Sequence, residues 1–67
     1  MNFEISFEKK LSLATESKDE DTLFVLANDG DCRIRETVAG NTATNASVLD
    51  KLSKDIFWRV RARVASN

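Results

Sequence analysis

The sequence contains no histidine, proline or tyrosine, and it has one cysteine and two glycines among its 67 residues. The single cysteine, Cys32, allows neither an internal disulfide nor a Cys/His metal cage, so disulfide scaffolds and zinc fingers are excluded. The lack of histidine removes the commonest general base and metal ligand. Because a glycine-rich phosphate loop is missing as well, we expect no enzyme, no cofactor and no metal site.

Long apolar runs are also missing, since the longest one is Phe24 to Ala27. About 20 apolar residues are needed to span a bilayer, so we expect no membrane segment. The first residues carry neither a basic region nor an apolar stretch of the signal-peptide type, which predicts a cytoplasmic location. A chain of 67 residues is one domain at most, near the lower size limit for a core that folds unaided.

Charge is balanced overall but unevenly placed. The formal net charge is −1, yet residues 1–31 hold three basic and eight acidic side chains, and residues 32–67 hold seven basic and three acidic ones. A net charge near zero argues against nucleic-acid binding by electrostatics alone, whereas the basic end can attract an acidic surface. The alternative is that the two ends attract each other, within one chain or between two copies.

An internal duplication is the most informative feature of the sequence. The stretch Leu23–Asn41 follows the pattern Leu-x-x-Leu-x-x-Asp-x-x-x-Arg-Ile-Arg-x-x-Val-Ala-x-Asn, and Leu49–Asn67 matches it 26 residues later with eight identities and one Ile/Val exchange. A degenerate copy precedes both, because Lys10-x-x-Leu13-Ala14 matches Arg35-x-x-Val38-Ala39. We therefore expect one helical-repeat domain over residues 1–67, with a half-repeat in 1–19 and full repeats in 20–45 and 46–67.

Each repeat is expected to form two short helices. The leucines of the first helix lie three residues apart, and the branched residues of the second lie four apart, so each pair shares a helical face. The expected N-caps are Ser17 (at capping-box spacing from Glu20), Thr44, Asp29 or Asp31, and Asp55. Gly40 stands where a left-handed residue would end a helix. Residues 3–7 alternate like a short strand, but Phe3, Phe7 and Leu11 also form a helical stripe, and we favour the helix.

The second unit, with Val38-Ala39-Gly40-Asn41, Leu49-x-x-Leu52-x-x-Asp55 and Arg59-Val60-Arg61, resembles the leucine-rich repeat variant, a HEAT-like helical repeat. Thr42 and Asn45 stand where that family has prolines, so the turn is less rigid here. The resemblance implies an all-α fold, a short right-handed α-solenoid of about two and a half HEAT-like two-helix repeats. Such stacks are usually scaffolds for binding other macromolecules.

Two sets of residues are candidate sites. The resemblance implies a structural role, as Asp/Arg pairs between or within units, for Asp29, Arg35, Asp55 and Arg61. The candidate partner-binding residues are Trp58, Phe57, Arg59, Arg63 and Arg33. Arg59 and Arg63 lie four residues apart on one helical face. With Arg33 they predict a basic stripe for phosphates or an acidic protein surface, and the alternative is a solvated face balanced by nearby aspartates.

The aromatic pair Phe57 and Trp58 allows two interpretations. Adjacent helical residues cannot both point into one core seam, so one of them is expected at the surface, where Trp is often an interface anchor. Alternatively, both wrap the open end of the core together with Ile56 and Val60. We predict self-association or partner docking through a helix over residues 55–66. The expected function is therefore a non-enzymatic protein-binding adaptor or small inhibitor that binds another protein or a second copy, and the alternative is nucleic-acid binding.

Overall fold

The computed structural model describes residues 6–67. Over this range it contains five α-helices and no strand: α1 (Phe7–Glu16), α2 (Glu20–Ala27), α3 (Cys32–Gly40), α4 (Ala46–Leu52) and α5 (Trp58–Ser66). The predicted all-α class is confirmed. Phe3 and Ile5 lie outside the described residues, while Phe7 is the first residue of α1. No helix within residues 6–67 is long and apolar enough to cross a membrane.

Side-chain oxygens start four of the five helices. Ser6, Asp19, Asp31 and Asn45 each occupy the N-cap position and accept a hydrogen bond from a backbone N–H in the first turn. This satisfies one of the donors that a helix start leaves without an intrahelical partner. Helix α5 is the exception, because its N-cap is Phe57, which has no side-chain acceptor.

Three predicted N-caps are wrong, and Asp31 is the one that is confirmed. Ser17 ends α1 and accepts from the backbone N–H of Asp19, so the cap of α2 is two residues later than predicted. Thr44 is buried and donates to the carbonyl of Val38, which leaves the capping of α4 to Asn45. Asp55 accepts from the N–H of Phe57 but precedes the cap of α5 by two residues. Helix α5 therefore begins at Trp58, and the predicted start at residue 55 is also wrong.

The prediction for Gly40 is wrong as well. Gly40 is the last residue of α3, and no glycine in the described part of the chain has a positive φ. Gly40 is needed for its lack of a side chain, because a β-carbon at this position would lie 2.5 Å from Arg63 Nε. The glycine therefore lets the Arg63 guanidinium lie against the end of α3.

Helix α3 is the centre of the structure. It packs against all four other helices, and α1 and α5 approach α3 rather than each other. The fully buried side chains Leu23, Ile34, Val38, Leu52 and Val60 supply most of the core. Two of these residues, Ile34 of α3 and Val60 of α5, occupy the same place in the two matching stretches.

Candidate functional site

The main polar contact of the structure joins the two matching stretches. Arg35 of α3 donates from Nε to Asp55 Oδ2 at 2.7 Å and from Nη2 to Asp55 Oδ1 at 3.2 Å. The two side chains are only 12% and 9% exposed. A two-point guanidinium–carboxylate contact of this kind is strong and geometrically specific. Arg35 therefore ties α3 to the loop that precedes α5.

A similar contact precedes it along the chain. Lys10 of α1 contacts Asp29 Oδ1 at 2.8 Å, and Lys10 aligns with Arg35 as Asp29 aligns with Asp55. Each aspartate also uses a carboxylate oxygen to accept the backbone N–H two residues later, from Asp31 and Phe57 respectively. In both cases the cation belongs to one helix, and the aspartate lies in the loop between the two helices that follow it. We call the loops that contain Asp29 and Asp55 the aspartate loops.

Arg61 occupies the third position of this series. Its Nη1 donates to the Asp55 carbonyl at 2.6 Å, just as Arg35 Nη1 donates to the Asp29 carbonyl at 2.7 Å. Unlike Arg35, Arg61 has no carboxylate partner among residues 6–67. Of the four residues predicted to form charged pairs, Asp55 and Arg35 pair with each other, Asp29 pairs with Lys10, and Arg61 bonds only to a carbonyl oxygen.

These contacts favour the charged form of the carboxylates. The hydrogen bond from Arg35 lowers the pKa of Asp55, against the opposing effect of burial. Lys10 lowers the pKa of Asp29 in the same way. The guanidinium of Arg33 is the main cause of the lowered pKa of Asp31, which is about 2. The carboxylates of the aspartate loops are thus anions at neutral pH, held by the cations they bind.

Asparagine side chains tie the ends of the helices together. The buried Asn41 donates from Nδ2 to the carbonyls of Ala14 and Ser17, both at 2.9 Å. Asn67, 26 residues later, donates to the carbonyls of Ala39 and Asn41. The last carbonyls of a helix have no backbone N–H of the same helix to bond to. Asn41 and Asn67 thus supply side-chain donors for such carbonyls at the ends of α1 and α3.

Three large apolar side chains lie at the surface around the start of α5. Ile56 is 85% exposed, Phe57 is 46% exposed and Trp58 is 65% exposed. The structure therefore favours exposed aromatics over the alternative in which Ile56 and the two aromatics wrap the end of the core. Only Val60, of the four residues in that alternative, is buried.

The outer side of α5 carries a shallow groove of about 300 Å³. It is lined by Trp58, Arg59, Ala62, Arg63 and Ser66 of α5 and by Glu36 of α3. The structure thus brings three of the predicted partner-binding residues, Trp58, Arg59 and Arg63, to one surface. Glu36 is the one acidic residue among those that line this groove. Helix α5 itself holds three arginines and no carboxylate.

Arg33 and Phe57 lie apart from that groove. Arg33 bonds to Asp31 through Nε and Nη2, and its guanidinium stacks over the Phe7 ring at 4.2 Å. The ring of Phe57 lies 5.5 Å from the guanidinium carbon of Arg35, beside the aspartate loop. The predicted stripe from Arg33 to Arg63 is therefore interrupted, because the charge of Arg33 is balanced by Asp31.

The surfaces of α3 and α5 differ at equivalent positions. Ala39 is fully buried and Arg35 is nearly so, whereas Ala65 and Arg61 are exposed. The part of α3 that carries Arg35 and Ala39 is covered by α4, α5 and the loop between them. Within the described residues, nothing covers the corresponding part of α5.

Neither a scan against protein-family models nor searches of curated proteins and of solved structures found a match to this chain.

Five residues of the site were not among the predicted site residues: Lys10, Glu36, Asn41, Ala62 and Ser66. The sequence had a signal for two of them: the alignment of Lys10 with Arg35 marked Lys10 as a candidate for the same kind of ion pair, and the repeated Val-Ala-x-Asn marked Asn41. Glu36 and Ala62, which help to line the groove, had no such signal, because their position depends on how α5 packs on α3.

Proposed function

We propose that this chain is a cytoplasmic, non-enzymatic protein-binding adaptor or small inhibitor, built as a short right-handed α-solenoid of about two and a half HEAT-like repeats. The contacts that recur along the chain support this interpretation: a cation–aspartate pair, an aspartate–backbone bond, an arginine–carbonyl bond and an asparagine bridge. The resemblance of the sequence to the leucine-rich repeat variant supports the same interpretation. Stacked helical units of this kind typically serve as binding scaffolds.

The observation that carries the proposal is the surface around the start of α5. Ile56, Phe57 and Trp58 are all exposed there, next to arginines on the same helix. Trp and Arg are the residue types most enriched among the residues that dominate binding energy at protein interfaces. We propose that this surface binds another protein or a second copy of the chain.

Nucleic-acid binding is the second candidate function, and three arginines on a helix without a carboxylate favour it. Its electrostatic basis is weakened because Arg33 is balanced by Asp31 and Arg35 by Asp55. The chain as a whole is slightly acidic. Among the arginines of α3 and α5, those that are not paired with a carboxylate are Arg59, Arg61 and Arg63.

Pull-downs from an extract of the native host, combined with sedimentation of the purified chain, test the proposal. We expect Trp58→Ala to abolish capture of the partner or self-association, because it removes the largest exposed apolar side chain of this surface. Phe24→Ala is the matched control, since Phe24 is an aromatic on α2 that is 55% exposed. Equal binding by wild type and Trp58→Ala would contradict the proposal.

The nucleic-acid alternative predicts a different pattern. Binding would weaken steeply with salt, because each phosphate contact releases counterions. The double variant Arg59→Glu, Arg63→Glu would abolish it, while Trp58→Ala would leave most of it intact. A salt-sensitive complex with RNA or DNA that depends on these two arginines would replace protein binding as the function.

A further inference from the structure

We infer that Trp58 of one copy of the chain inserts into an apolar groove between α1 and α2 of a second copy, where Arg59 pairs with Asp21. This inference deepens the proposed function and rests on it, because it names the partner of the surface around the start of α5 and the place where that surface binds. The argument compares two surfaces of the same molecule, which are complementary in size, hydrophobicity and charge.

The groove between α1 and α2 is mainly apolar and contains one charged residue. It has a volume of about 300 Å³. The residues that line it are Leu13, Asp21, Thr22, Val25 and Leu26. An apolar cavity of about 150 Å³ holds one benzene molecule, so this groove has room for one indole ring. The carboxylate of Asp21 is exposed and has no ion-pair partner among residues 6–67.

The fold does not require an apolar side chain at the outer wall of this groove. Val25 is 65% exposed, and the equivalent residue of α4, found 26 positions later, is the exposed Lys51. The same type of helix thus forms with either residue at this position. Exposed apolar residues that line a groove are typical of an interaction site. We therefore assign Val25 to a contact with a partner.

The side chain that fits this groove is Trp58. Its ring is 65% exposed, and the guanidinium carbon of Arg59 lies 5.6 Å from the centre of the ring. Arg59 has no carboxylate partner within residues 6–67. An aromatic ring with an adjacent cation therefore matches an apolar groove with an adjacent carboxylate.

Trp58 does not occupy the groove of its own molecule. The ring is not among the residues that line the groove, and α5 packs against α3 and α4 without contacting α1 or α2. Within the part of the chain that the structure describes, the two surfaces therefore belong to helices that do not touch. The contact between them has to join two molecules.

Charge favours this arrangement over the pairing of two α5 helices. The groove belongs to the acidic part of the sequence, since residues 1–31 hold eight acidic and three basic side chains. Trp58 belongs to the basic part, since residues 32–67 hold seven basic and three acidic ones. Opposite charges steer the two surfaces together and fix their orientation. Two facing α5 helices would instead bring together three arginines from each copy and no carboxylate.

The inferred interface joins two different surfaces, so it is heterologous. In a pair of molecules, one copy still has a free groove and the other still has a free Trp58. Association therefore continues beyond the dimer unless the rotation between copies closes a ring. Two variants that each lose a different surface should stop at a dimer when they are mixed.

Two single substitutions, each of which damages one surface, test the inference. Val25→Lys removes the apolar wall of the groove and adds a cation that repels Arg59, and lysine is the residue that α4 has at this position. Trp58→Ala removes the inserted ring and retains the groove. Phe24→Lys is the matched control, because Phe24 is exposed on α2 but does not line the groove.

Sedimentation measures the association of these chains. We expect the wild-type chain to associate as its concentration rises, and Val25→Lys and Trp58→Ala each to raise the dissociation constant at least about tenfold. Phe24→Lys should associate like the wild type. An equimolar mixture of the two defective variants should form a dimer with one copy of each and no larger species. A wild-type chain that stays monomeric at millimolar concentration would overturn the inference, and so would a mixture that stays monomeric.

Fluorescence tests whether the groove is the place where the ring binds, because Trp58 is the one tryptophan of the chain. Adding the Trp58→Ala chain, which has no tryptophan, to the Val25→Lys chain should protect Trp58 of the latter from acrylamide quenching. The matched control is an added chain that carries both substitutions, which should give no protection. Equal protection by the two added chains, or protection by neither, would contradict the inferred contact.

An exchange of charges tests the ion pair between the copies. Asp21→Lys and Arg59→Glu should each weaken association. The double variant should recover most of it, because opposite charges again meet at the interface. Association of the double variant that is no stronger than that of the single variants would overturn the assigned ion pair.

Capture from an extract of the native host separates this inference from the proposed function. If Trp58→Ala loses a captured protein while the purified wild-type chain stays monomeric, the surface binds a different protein, and only the inference fails. If Trp58→Ala changes neither capture nor self-association, the proposed function fails as well.

Discussion

Helices α3 and α5 carry the same pattern of residues but have different surroundings. In α3, Arg35 binds Asp55 of the following loop, and Ala39 is fully buried. In α5, the matching Arg61 and Ala65 are exposed. One sequence pattern therefore forms a buried seam in one place and an open surface in the other. The difference, among residues 6–67, is that α4 and α5 follow α3 and pack on it, while no helix of this range packs on the corresponding part of α5.

The largest expected effect comes from removing the two equivalent arginines in turn. Arg35→Met leaves the Asp55 carboxylate buried without its cation, and this should cost about 3 kcal/mol of unfolding free energy. Arg61→Met removes an exposed side chain and should cost less than about 0.5 kcal/mol. Urea unfolding followed by far-UV circular dichroism measures both. Similar losses in the two variants would mean that α3 and α5 do not differ in the way described.

The asparagine bridges provide the next comparison. Asn41→Ala leaves buried carbonyls of α1 without a donor, and we expect it to destabilise the fold by about 2 kcal/mol. Asn67 is exposed, so Asn67→Ala should cost clearly less, although it bonds to the end of α3 in the same way. Thermal unfolding of the two variants makes the comparison. A larger loss for Asn67 would show that the C-terminal bridge is the more important of the two.

Acid should lower the free energy of unfolding, because it protonates the aspartates of the Lys10–Asp29 and Arg35–Asp55 ion pairs. The folded-state pKa values of Asp29 and Asp55 lie below the ordinary value, so their contribution is complete above about pH 4 and is lost as the pH falls through the folded values. Asp31, with a pKa of about 2, extends this loss to lower pH. Stability measured from pH 7 to pH 2 should therefore fall at the acidic end.

Two variants test whether the loss of stability in acid comes from the Arg35–Asp55 ion pair. Asp55→Asn should lower stability at pH 7 and flatten the decline below pH 4, because the titrating carboxylate is gone. Asp50→Asn is the control, since Asp50 belongs to an exposed ion pair with Lys54 at 3.4 Å. An equally flattened profile for Asp50→Asn would place the acid sensitivity elsewhere.

Trp58→Ala is also expected to have a small effect on stability. Trp58 is 65% exposed and contributes little to the core. Its removal should therefore change the unfolding free energy by no more than about 0.5 kcal/mol, similar to Phe24→Ala. A loss several times larger would show that Trp58 covers the end of the core, the alternative that the exposed position of the ring disfavours.

Much of this architecture follows from the sequence, because the spacing of Leu23, Leu26, Ile34 and Val38 requires apolar faces at helical period, and all four are buried. The resemblance to the leucine-rich repeat variant implied Asp/Arg pairs, and the Arg35–Asp55 contact has this form. The spacing alone did not say whether an arginine pairs within its own unit or with the next. The structure resolves this, because Arg35 meets the aspartate of the following loop.

The caps could not be located from local sequence. Ser17 and Asp19, or Thr44 and Asn45, are all capable caps within one or two residues of each other. Which one caps depends on packing: Thr44 is buried against the end of α3 and donates to Val38, which leaves Asn45 to start α4. The exposure of Phe57 and Trp58 together was also beyond the sequence, because it depends on α5 beginning only at Trp58.

Thiol labelling of cysteines placed at the two equivalent alanines is the most direct test of the central claim that α5 repeats α3 with its outer side open. In a Cys32→Ser background, Ala65→Cys should react with a thiol reagent at nearly the rate of a free cysteine. Ala39→Cys should react many-fold more slowly, at a rate limited by unfolding. Equal rates for the two cysteines in the monomeric chain would contradict the account.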